Sequence, residues 1–592
     1  MSQTVIKSED KRWWKEATVY QVYPSSFADG NGDGLGDLKG ITSKVDYLHH
    51  LGVDVLWLSP IYDSPQKDMG YDISDYRQIY APYGTLEDWD NLRDALHAKG
   101  MKIMMDLVVN HTSDQHEWFK QSRSSKDSPF RDWYIWRPAK KGPNGERLPP
   151  NNWACVFGKE SAWAWDEHTQ EYYLHLYVTE QPDLNWDNPS VRNAVWDIMK
   201  FWLDRGSDGF RMDVINLISK TPGLPDAKEI VPGEFLQPSY EHTANGPNVH
   251  NYLQEMYREV LSKYDTITVG ETPFTHDTNI LSEYSLDANH ELQMVFTFEL
   301  HDIDGDRTDP MINRPYKLPE FKQIIEKYQR DLYGKGWNAL YFGNHDQARS
   351  VSRFGSDKTD EYRSLSSKLI ATMQHTLCGT TYIYQGEEIA MKNVDPTTWS
   401  IKDLPDVATQ MYWQAKLDER RSKTGQKDPD MSDVEQNILR KARDNARAPV
   451  QWTAGEQAGF STGKPWMRVN VEDAQNWNVE RLLSQPDSVI NYWRKIIATR
   501  KANPVLIYGD FVLLDRDNLQ VFAYTRTYAQ TRALVLLNFS DDQQTFSVPD
   551  TEGEFVEKKA KMLIGNYGDK SGQELRGNQV ELRPWEARVY VL

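Results

Sequence analysis

The chain has 592 residues, and its 87 acidic and 68 basic side chains give a formal net charge of −19 at pH 7. This charge argues against nucleic acid or an anionic membrane surface as a partner, because like charges repel before contact. No segment approaches the roughly 18 apolar residues of a membrane helix, residues 1–10 contain no apolar signal core, and two cysteines cannot form a disulfide framework. We therefore expect a soluble cytoplasmic protein.

Short apolar, β-branched runs alternate with helical patterns along most of the chain, which is typical of βαβ units and a parallel sheet. One helical pattern, 190–205, follows Pro189 with Ser190 as the expected N-cap and ends near Gly206. Each apolar run turns polar at its last residues, and in a (β/α)8 TIM barrel that end of the strands is the catalytic face. The eight predicted strands are 17–27, 53–60, 102–111, 209–214, 266–271, 292–299, 339–346 and 381–387.

Two long segments interrupt this alternation. One follows strand three and contains two aromatic runs around a polar turn, WAWDEHTQEYYLHLY; a structureless loop of that length is improbable, so we expect an inserted subdomain. The other, 388–466, is highly charged and predicts an elaborated loop after strand eight, whereas the end of the chain alternates like a C-terminal antiparallel β-sandwich. The predicted domains are a barrel at 1–109 and 179–508, the insert at 110–178 and the sandwich at 509–592.

Titratable side chains collect at the predicted strand ends. Clustered carboxylates repel one another, so their pKa values should separate, and one can stay ionised as a nucleophile while another holds a proton. Together with 71 aromatic residues, which suit either large cores or sugar rings, these carboxylates indicate glycosidic-bond chemistry. The strand-end residues are Asp68, His111, Arg211, Asp213, Glu271, His345 and Asp346.

Four of these segments, DLVVNH, GFRMDV, VGET and FGNHD, resemble in this order the signature segments of glycoside hydrolase family 13, the α-amylase family. Four others, RWWKEATVYQVYPSSFAD, DMGYDISDY, QPDLNWDNP and ARDNARAPVQW, are similar to its oligo-1,6-glucosidase and α-glucosidase branch. The resemblance spans residues 13–585, nearly the whole chain.

The resemblance implies catalytic roles for three carboxylates. Asp213 matches the nucleophile that forms a covalent glucosyl-enzyme, and Glu271 matches the acid/base that protonates the leaving oxygen and then activates water. Asp346 matches the third carboxylate, which binds sugar hydroxyls and distorts the ring. Arg211 lies two residues before Asp213 and hence on the same strand face, where it can hold that carboxyl ionised.

The resemblance also implies a set of sugar-binding residues. His111 and His345 match residues that hydrogen-bond glucose, and Asp68 and Tyr71 match a hydroxyl-binding Asp and a stacking Tyr. Arg443 matches an arginine that pairs with Asp68 and closes the pocket. Arg447 is the alternative for that arginine, and Tyr177 is either a pocket wall or a core aromatic.

The loop DGNGDGLGD predicts a structural Ca²⁺ site, because hard oxygen ligands alternate with other residues, as in calcium loops. The resemblance agrees, since this branch often holds calcium after strand one; a glycine-rich turn with solvated acids is the alternative. No organic cofactor is expected. The predicted metal ligands are Asp29, Asn31, Asp33, the Leu35 carbonyl and Asp37.

Substrate preference depends on Val214, which directly follows the nucleophile. In related enzymes Val here accompanies action on α-1,6 bonds, and Thr or Ala accompanies α-1,4 preference. We expect a monomeric, retaining exo-α-glucosidase that acts on small oligosaccharides, prefers isomaltose-like linkages and has secondary activity on maltose or sucrose. One alternative is an α-1,4 maltase. Another is a sucrose isomerase or glucosyl transferase, but sucrose isomerases carry an Arg-rich loop from which the segment HDIDGDRTD departs. The third is a non-catalytic relative, which would lack part of the catalytic triad.

Overall fold

Eight parallel strands, β1 to β8, form a closed barrel in the computed structural model, which describes residues 11–158, 160–306, 309–568 and 572–592. The sheet order is β6-β5-β4-β3-β2-β1-β8-β7, and a parallel bridge between Val295 and Asn338 joins β6 to β7. The predicted fold class is therefore confirmed. The strands are β1 Thr18–Val22, β2 Val55–Leu58, β3 Lys102–Leu107, β4 Gly209–Met212, β5 Ile267–Glu271, β6 Met294–Phe296, β7 Ala339–Leu340 and β8 Thr380–Tyr384.

The observed strands are mostly shorter than their predicted runs, because the polar ends of the runs form loops above the barrel. Side chains that alternate along the strands, such as Val19, Met104 and Val269, form one apolar cluster inside the barrel. Their neighbours, such as Tyr20 and Ile103, belong to the larger core between strands and helices. The loops are thus held on a rigid frame.

Helices follow the strands around the outside of the barrel. The one predicted at 190–205 begins instead at Pro189: Asn188 is its N-cap and accepts the N–H of Ser190, because Pro fits the first helical position. It ends as predicted at Gly206, which has φ 105°. In the described part of the chain, no helix is long and apolar enough to cross a membrane. The outer helices are Val45–Leu51, Leu86–His97, Pro189–Arg205, Val249–Glu259, Thr278–Ser285, Leu318–Asp331, Asp360–Thr376 and Val489–Ala502.

The segment after β3 contains a small antiparallel sheet. The predicted aromatic hairpin is formed by Trp163–Asp166 and Glu171–Leu174, with Trp136–Arg137 on the other side of the second strand. A bridge between His111 and Asp183 ties the returning chain to the loop that follows β3, so the pairing within this segment extends beyond residue 178. The helix Glu117–Ser124 precedes the sheet.

The segment after β8, for which the sequence predicts an elaborated loop, contains helices, and the C-terminal region is antiparallel. Phe546 and Val580, from a two-stranded sheet, share an apolar cluster with Leu536 of a five-stranded sheet, so the two sheets pack face to face. The helices after β8 are Val407–Thr424, Ser432–Lys441 and Asp444–Arg447. The strands of the five-stranded C-terminal sheet, in sheet order, are Val512–Leu514, Val521–Tyr528, Thr531–Asn538, Ala587–Val591 and Lys561–Gly565. The strands of the two-stranded sheet are Gln544–Ser547 and Gln579–Leu582.

Shorter elements complete the described chain. Residues 1–10, for which the sequence predicts no signal segment, lie outside the description, as do Lys159, Arg307, Thr308 and 569–571. The remaining helices are Trp13–Glu16, Pro24–Phe27, Leu38–Ser43, Tyr240–Thr243, Ser350–Phe354, Val471–Ala474, Val479–Leu483, Pro504–Tyr508 and Glu554–Glu557, and the remaining strands are Tyr62–Asp63, Asp75–Ile79, Lys140–Lys141 and Arg147–Leu148.

Candidate active site

The carboxyl ends of β4 and β5 bring Asp213 and Glu271 to one guanidinium group. Asp213 directly follows β4, and Glu271 is the last residue of β5. Arg211 Nη1 lies 2.7 Å from Asp213 Oδ1, and Arg211 Nη2 lies 2.7 Å from Glu271 Oε2. Both carboxylates are 6% exposed. The two predicted catalytic residues therefore share a buried ion-pair network.

Asp106 of β3 completes this network and was not among the predicted site residues. Its Oδ1 accepts a hydrogen bond of 2.9 Å from Arg211 Nη1, and its Oδ2 accepts one of 3.2 Å from the Tyr71 hydroxyl. The guanidinium of Arg211 also lies 5.3 Å from the centre of the Trp57 ring. One buried cation thus faces three carboxyl groups. Because its single positive charge cannot balance three negative ones, at least one carboxyl group is favoured to take up a proton.

The carboxyl groups of the site have separated pKa values, as clustered carboxylates should. Burial raises the pKa of Asp213 to about 7 and that of Glu271 to about 8, although Arg211 lowers both. For Asp346 burial acts in the same direction, but the neighbouring His345 and the cations Arg443, Arg447 and Arg211 lower its pKa well below the usual range. Arg211 therefore favours the ionised form of Asp213, as the sequence predicts. The effect of burial is larger, however, so the pKa of Asp213 is raised.

His345 connects the third carboxylate to an aromatic wall. Its Nε2 lies 3.1 Å from Asp346 Oδ2, and its ring stacks on Tyr71 at 5.1 Å with planes only 4° apart. Gln21 of β1 holds the other ring nitrogen, with 2.8 Å between Gln21 Nε2 and His345 Nδ1. Tyr71 thus lies beside the predicted sugar-binding residues, with one ring face covered by His345.

Gln181 links two further predicted residues, Asp68 and His111. Gln181 Nε2 donates to Asp68 Oδ2 at 3.2 Å and lies 3.2 Å from His111 Nε2. Gln181 is fully buried and belongs to the QPDLN segment, so that motif could have identified it. Tyr177 packs here as well: its ring centre is 5.4 Å from that of His111 and 5.1 Å from that of Phe157.

Arg443 spans the pocket. Its Nη2 lies 2.7 Å from Asp68 Oδ1, the pair expected from the sequence, and its Nη1 lies 3.0 Å from Asp346 Oδ1. Its guanidinium lies 4.9 Å from the centre of the Phe157 ring, which belongs to the insert. Arg447, the alternative candidate, also reaches the site, with Nη2 3.0 Å from Asp346 Oδ1.

Val214 adopts a strained backbone beside Glu271, the predicted acid/base residue. Its φ of 36° is in the left-handed region, which is unusual for a β-branched residue. In this conformation its N–H donates to Glu271 Oε2 at 3.0 Å. Its side chain belongs to an apolar cluster that contains Tyr177.

The predicted metal loop is folded by its own carboxylates. Asp29 accepts the backbone N–H groups of Asn31, Gly32 and Gly34 at 2.9, 2.7 and 2.8 Å. Asp37 caps the helix Leu38–Ser43. No group of three or more His, Cys, Asp or Glu side chains within the described ranges is placed to hold a metal ion. The oxygen donors of the loop are of the kind that Ca²⁺ prefers. In the structure, however, the carboxylates of Asp29 and Asp37 accept backbone N–H groups.

Known proteins resemble this chain over nearly its whole length. The α-amylase catalytic-domain model matches residues 21–509, and the model of the α-amylase SusG C-terminal domain matches residues 521–589. An oligo-1,6-glucosidase of Parageobacillus thermoglucosidasius is 49% identical over 98% of this chain and 99% of that protein. Two solved structures have TM-scores of 0.89 at 40% identity, and each covers 98% of this chain. They are a trehalose-6-phosphate hydrolase of Bacillus licheniformis and an isomaltulose synthase of Protaminobacter rubrum, covered over 100% and 99% of their chains. The chain therefore belongs to the α-amylase family of glycoside hydrolases, family 13.

Proposed function

We propose that this enzyme is a retaining exo-α-glucosidase that releases terminal glucose from short α-glucosides and prefers α-1,6 linkages. The observation that carries the proposal is the pair Asp213 and Glu271 on the single guanidinium of Arg211. A retaining glycosidase needs its two carboxyl groups about 5–5.5 Å apart, whereas an inverting one needs about 6.5–9.5 Å. Contact with one guanidinium favours the shorter separation.

In the proposed first step Asp213 attacks the anomeric carbon of glucose while Glu271 gives its proton to the leaving oxygen. The carbon–oxygen bond to the leaving sugar breaks, and a glucosyl ester forms on Asp213. In the second step ionised Glu271 takes a proton from water, and the resulting oxygen displaces Asp213. Glu271 has the higher pKa of the two, which suits the acid, and Asp213 has the lower, which suits the nucleophile.

Exo action is supported by the closure of one end of the pocket. The Arg443–Asp68 ion pair joins the segment after β8 to the loop after β2, and Phe157 lies against it. We expect such a wall to stop a polymer from continuing beyond the bound glucose. The enzyme would then remove a terminal residue.

The experiment that tests this function is incubation with isomaltose, maltose, trehalose and sucrose, with separate assays of free glucose and isomeric disaccharides. We expect glucose from isomaltose at the highest rate, with the α-anomer released first. If glucose is released from none of the four sugars, the hydrolase proposal is refuted.

A second candidate, a sucrose isomerase, is supported by the similarity to the isomaltulose synthase. In that reaction a hydroxyl of the released fructose, rather than water, attacks the glucosyl ester. Isomaltulose or trehalulose as the main product from sucrose would favour this candidate. An α-1,4 maltase would instead release glucose fastest from maltose.

Replacing Val214 by Thr is expected to lower the ratio of kcat/KM for isomaltose to that for maltose about tenfold, within the roughly 1–3 kcal/mol of a methyl-scale change. Thr is also β-branched, so the local backbone and the N–H donated to Glu271 should persist. The measurement is kcat/KM on both sugars, with Val512→Thr in the C-terminal domain as a control. An unchanged ratio would contradict a role in linkage choice.

The pH dependence should be bell-shaped, with the maximum of kcat/KM between about pH 7 and 8. Below the pKa of Asp213, about 7, the nucleophile is protonated; above that of Glu271, about 8, the acid has lost its proton. The profile can be measured with an aryl α-glucoside. A profile that stays flat across both values would argue against these assignments.

We also propose that the loop at Asp29–Asp37 binds a structural Ca²⁺. Its oxygen donors support this, as does the proximity of its acids: burial raises the pKa of Asp37, and Asp29 and Asp33 add to that effect. Excess EDTA should lower Tm by about 3 °C or more, because a ligand that binds only the folded state stabilises it. Asp33→Ala should remove the difference. Equal Tm values of the wild-type protein with Ca²⁺ and with EDTA would show that the loop does not bind the ion.

We further propose that the enzyme acts as a cytoplasmic monomer on small saccharides, without an organic cofactor and without a nucleic-acid or membrane partner. The net charge of −19 supports the last point. Light scattering during size exclusion tests the monomer, and a mass twice that of the chain would contradict it.

A further inference from the structure

Asp406 lies behind the two arginines that hold Asp346. It is fully buried and immediately precedes the helix Val407–Thr424. Its Oδ1 accepts Arg443 Nε at 2.8 Å and Arg447 Nη1 at 2.9 Å. Its Oδ2 accepts the backbone N–H of Thr409 at 3.0 Å, and the Thr409 hydroxyl lies 3.2 Å from this oxygen and 2.7 Å from Asp444 Oδ2. Both carboxylate oxygens are therefore committed within the protein.

The other donors of the two arginines point at the sugar-binding carboxylates. Arg443 Nη1 and Arg447 Nη2 both lie 3.0 Å from Asp346 Oδ1, and Arg443 Nη2 lies 2.7 Å from Asp68 Oδ1. Since the guanidinium is planar and rigid, fixing one edge of it directs the remaining N–H groups. Asp406 thus determines where these groups point.

The same carboxylate also keeps two like charges together. The two guanidinium groups share Oδ1 of Asp346 and Oδ1 of Asp406 as partners, so they lie close enough to repel each other. Burial would raise the pKa of Asp406, but Arg443 and Arg447 lower it below the usual range, so it is ionised between them. A buried arginine pair without this anion would separate or recruit another partner.

We propose that Asp406 is a positioning residue for glucose binding: it holds Arg443 and Arg447 so that they fix Oδ1 of Asp346, while Oδ2, beside His345, keeps a lone pair for a sugar hydroxyl. The inference rests on the proposed function and deepens it. No direct contact between Asp406 and the substrate is involved.

The test is Asp406→Asn, which preserves shape and removes the charge. We expect the dissociation constant for glucose, measured by the change in tryptophan fluorescence on titration, to rise at least tenfold. For an aryl α-glucoside KM should rise more than kcat falls, and kcat/KM should fall about 100-fold. Asp418→Asn, on the exposed face of the same helix, should match the wild type in all of these measurements.

A double-mutant cycle with Asp346→Asn separates positioning from general damage. Because Asp406 acts through Asp346, its replacement should weaken glucose binding much less in the Asp346→Asn background. Equal loss in both backgrounds, or unchanged glucose affinity in folded Asp406→Asn, would overturn the proposal. If Asp406→Asn does not fold, Asp406→Glu, which keeps the charge but moves the carboxylate by one methylene, should weaken glucose binding severalfold, and unchanged affinity there would overturn it equally.

The glucose titration does not depend on turnover, so the two proposals fail separately. Wild-type protein that binds glucose but hydrolyses no α-glucoside would refute the proposed function alone. Hydrolysis by the wild type, combined with unaltered glucose binding in the Asp406 variant, would refute the positioning role alone.

Discussion

Replacement of Asp213 by Asn is expected to lower kcat by at least about 10⁴-fold, the scale seen when a nucleophile is removed from a catalytic unit, or about 5.5 kcal/mol of transition-state stabilisation. The amide keeps the size of the carboxylate but cannot form the glucosyl ester. The residual rate would come from Glu271 and the binding residues alone. The measurement is kcat on isomaltose and on an aryl α-glucoside.

The same variant should fold normally. Burial raises the folded-state pKa of Asp213 above its ordinary value, so the ionised carboxylate is disfavoured in the folded protein at any pH above that ordinary value. Removing the charge should therefore leave Tm unchanged or raise it, and Arg211 keeps Asp106 and Glu271 as partners. Asp197→Asn, on an exposed position of the helix Pro189–Arg205, is the matched control. A kcat within tenfold of the wild type would reject the nucleophile assignment.

The barrel and its strand-end acids could be predicted because each strand is marked in the sequence by its own apolar run. Asp213 and Glu271 stand where an apolar run ends, and parallel strands bring such ends to one face. The sequence also marks Asp106, because a carboxylate inside the buried run KIMMDL requires a cation, and Arg211 is that cation.

Other parts of the site depend on contacts between distant segments. Gln21 meets His345 across 324 residues, and Gln181 reaches Asp68 across 113. Asp406 lies in the charged segment after β8, where no periodic pattern distinguishes it from its exposed neighbours. Its partners Arg443 and Arg447 are aligned with it only once the helices of that segment have packed, so local sequence could not indicate its role.

Replacement of Glu271 by Gln should produce a loss that depends on the leaving group. With isomaltose, whose sugar alkoxide needs a proton to depart, we expect kcat/KM to fall about 10³–10⁴-fold, the upper range for general acid catalysis. With α-glucosyl fluoride, which leaves without protonation, the loss in glucosyl-ester formation should be less than about tenfold. The basic limb of the pH profile should vanish with the group whose pKa is about 8.

The second half of the reaction gives an independent measure of the same residue. Without the Glu271 carboxylate, water is not deprotonated as it attacks, and the glucosyl ester on Asp213 should accumulate. Azide needs no deprotonation, so adding it to the Glu271→Gln enzyme should restore turnover of α-glucosyl fluoride and yield the α-azide. That configuration requires two displacements at the anomeric carbon, in which Asp213 first replaces fluoride and azide then replaces Asp213. Equal losses on isomaltose and the fluoride, without rescue by azide, would mean that Glu271 positions the substrate and transfers no proton. In that case the acid would have to be sought among the remaining carboxyl groups around Arg211.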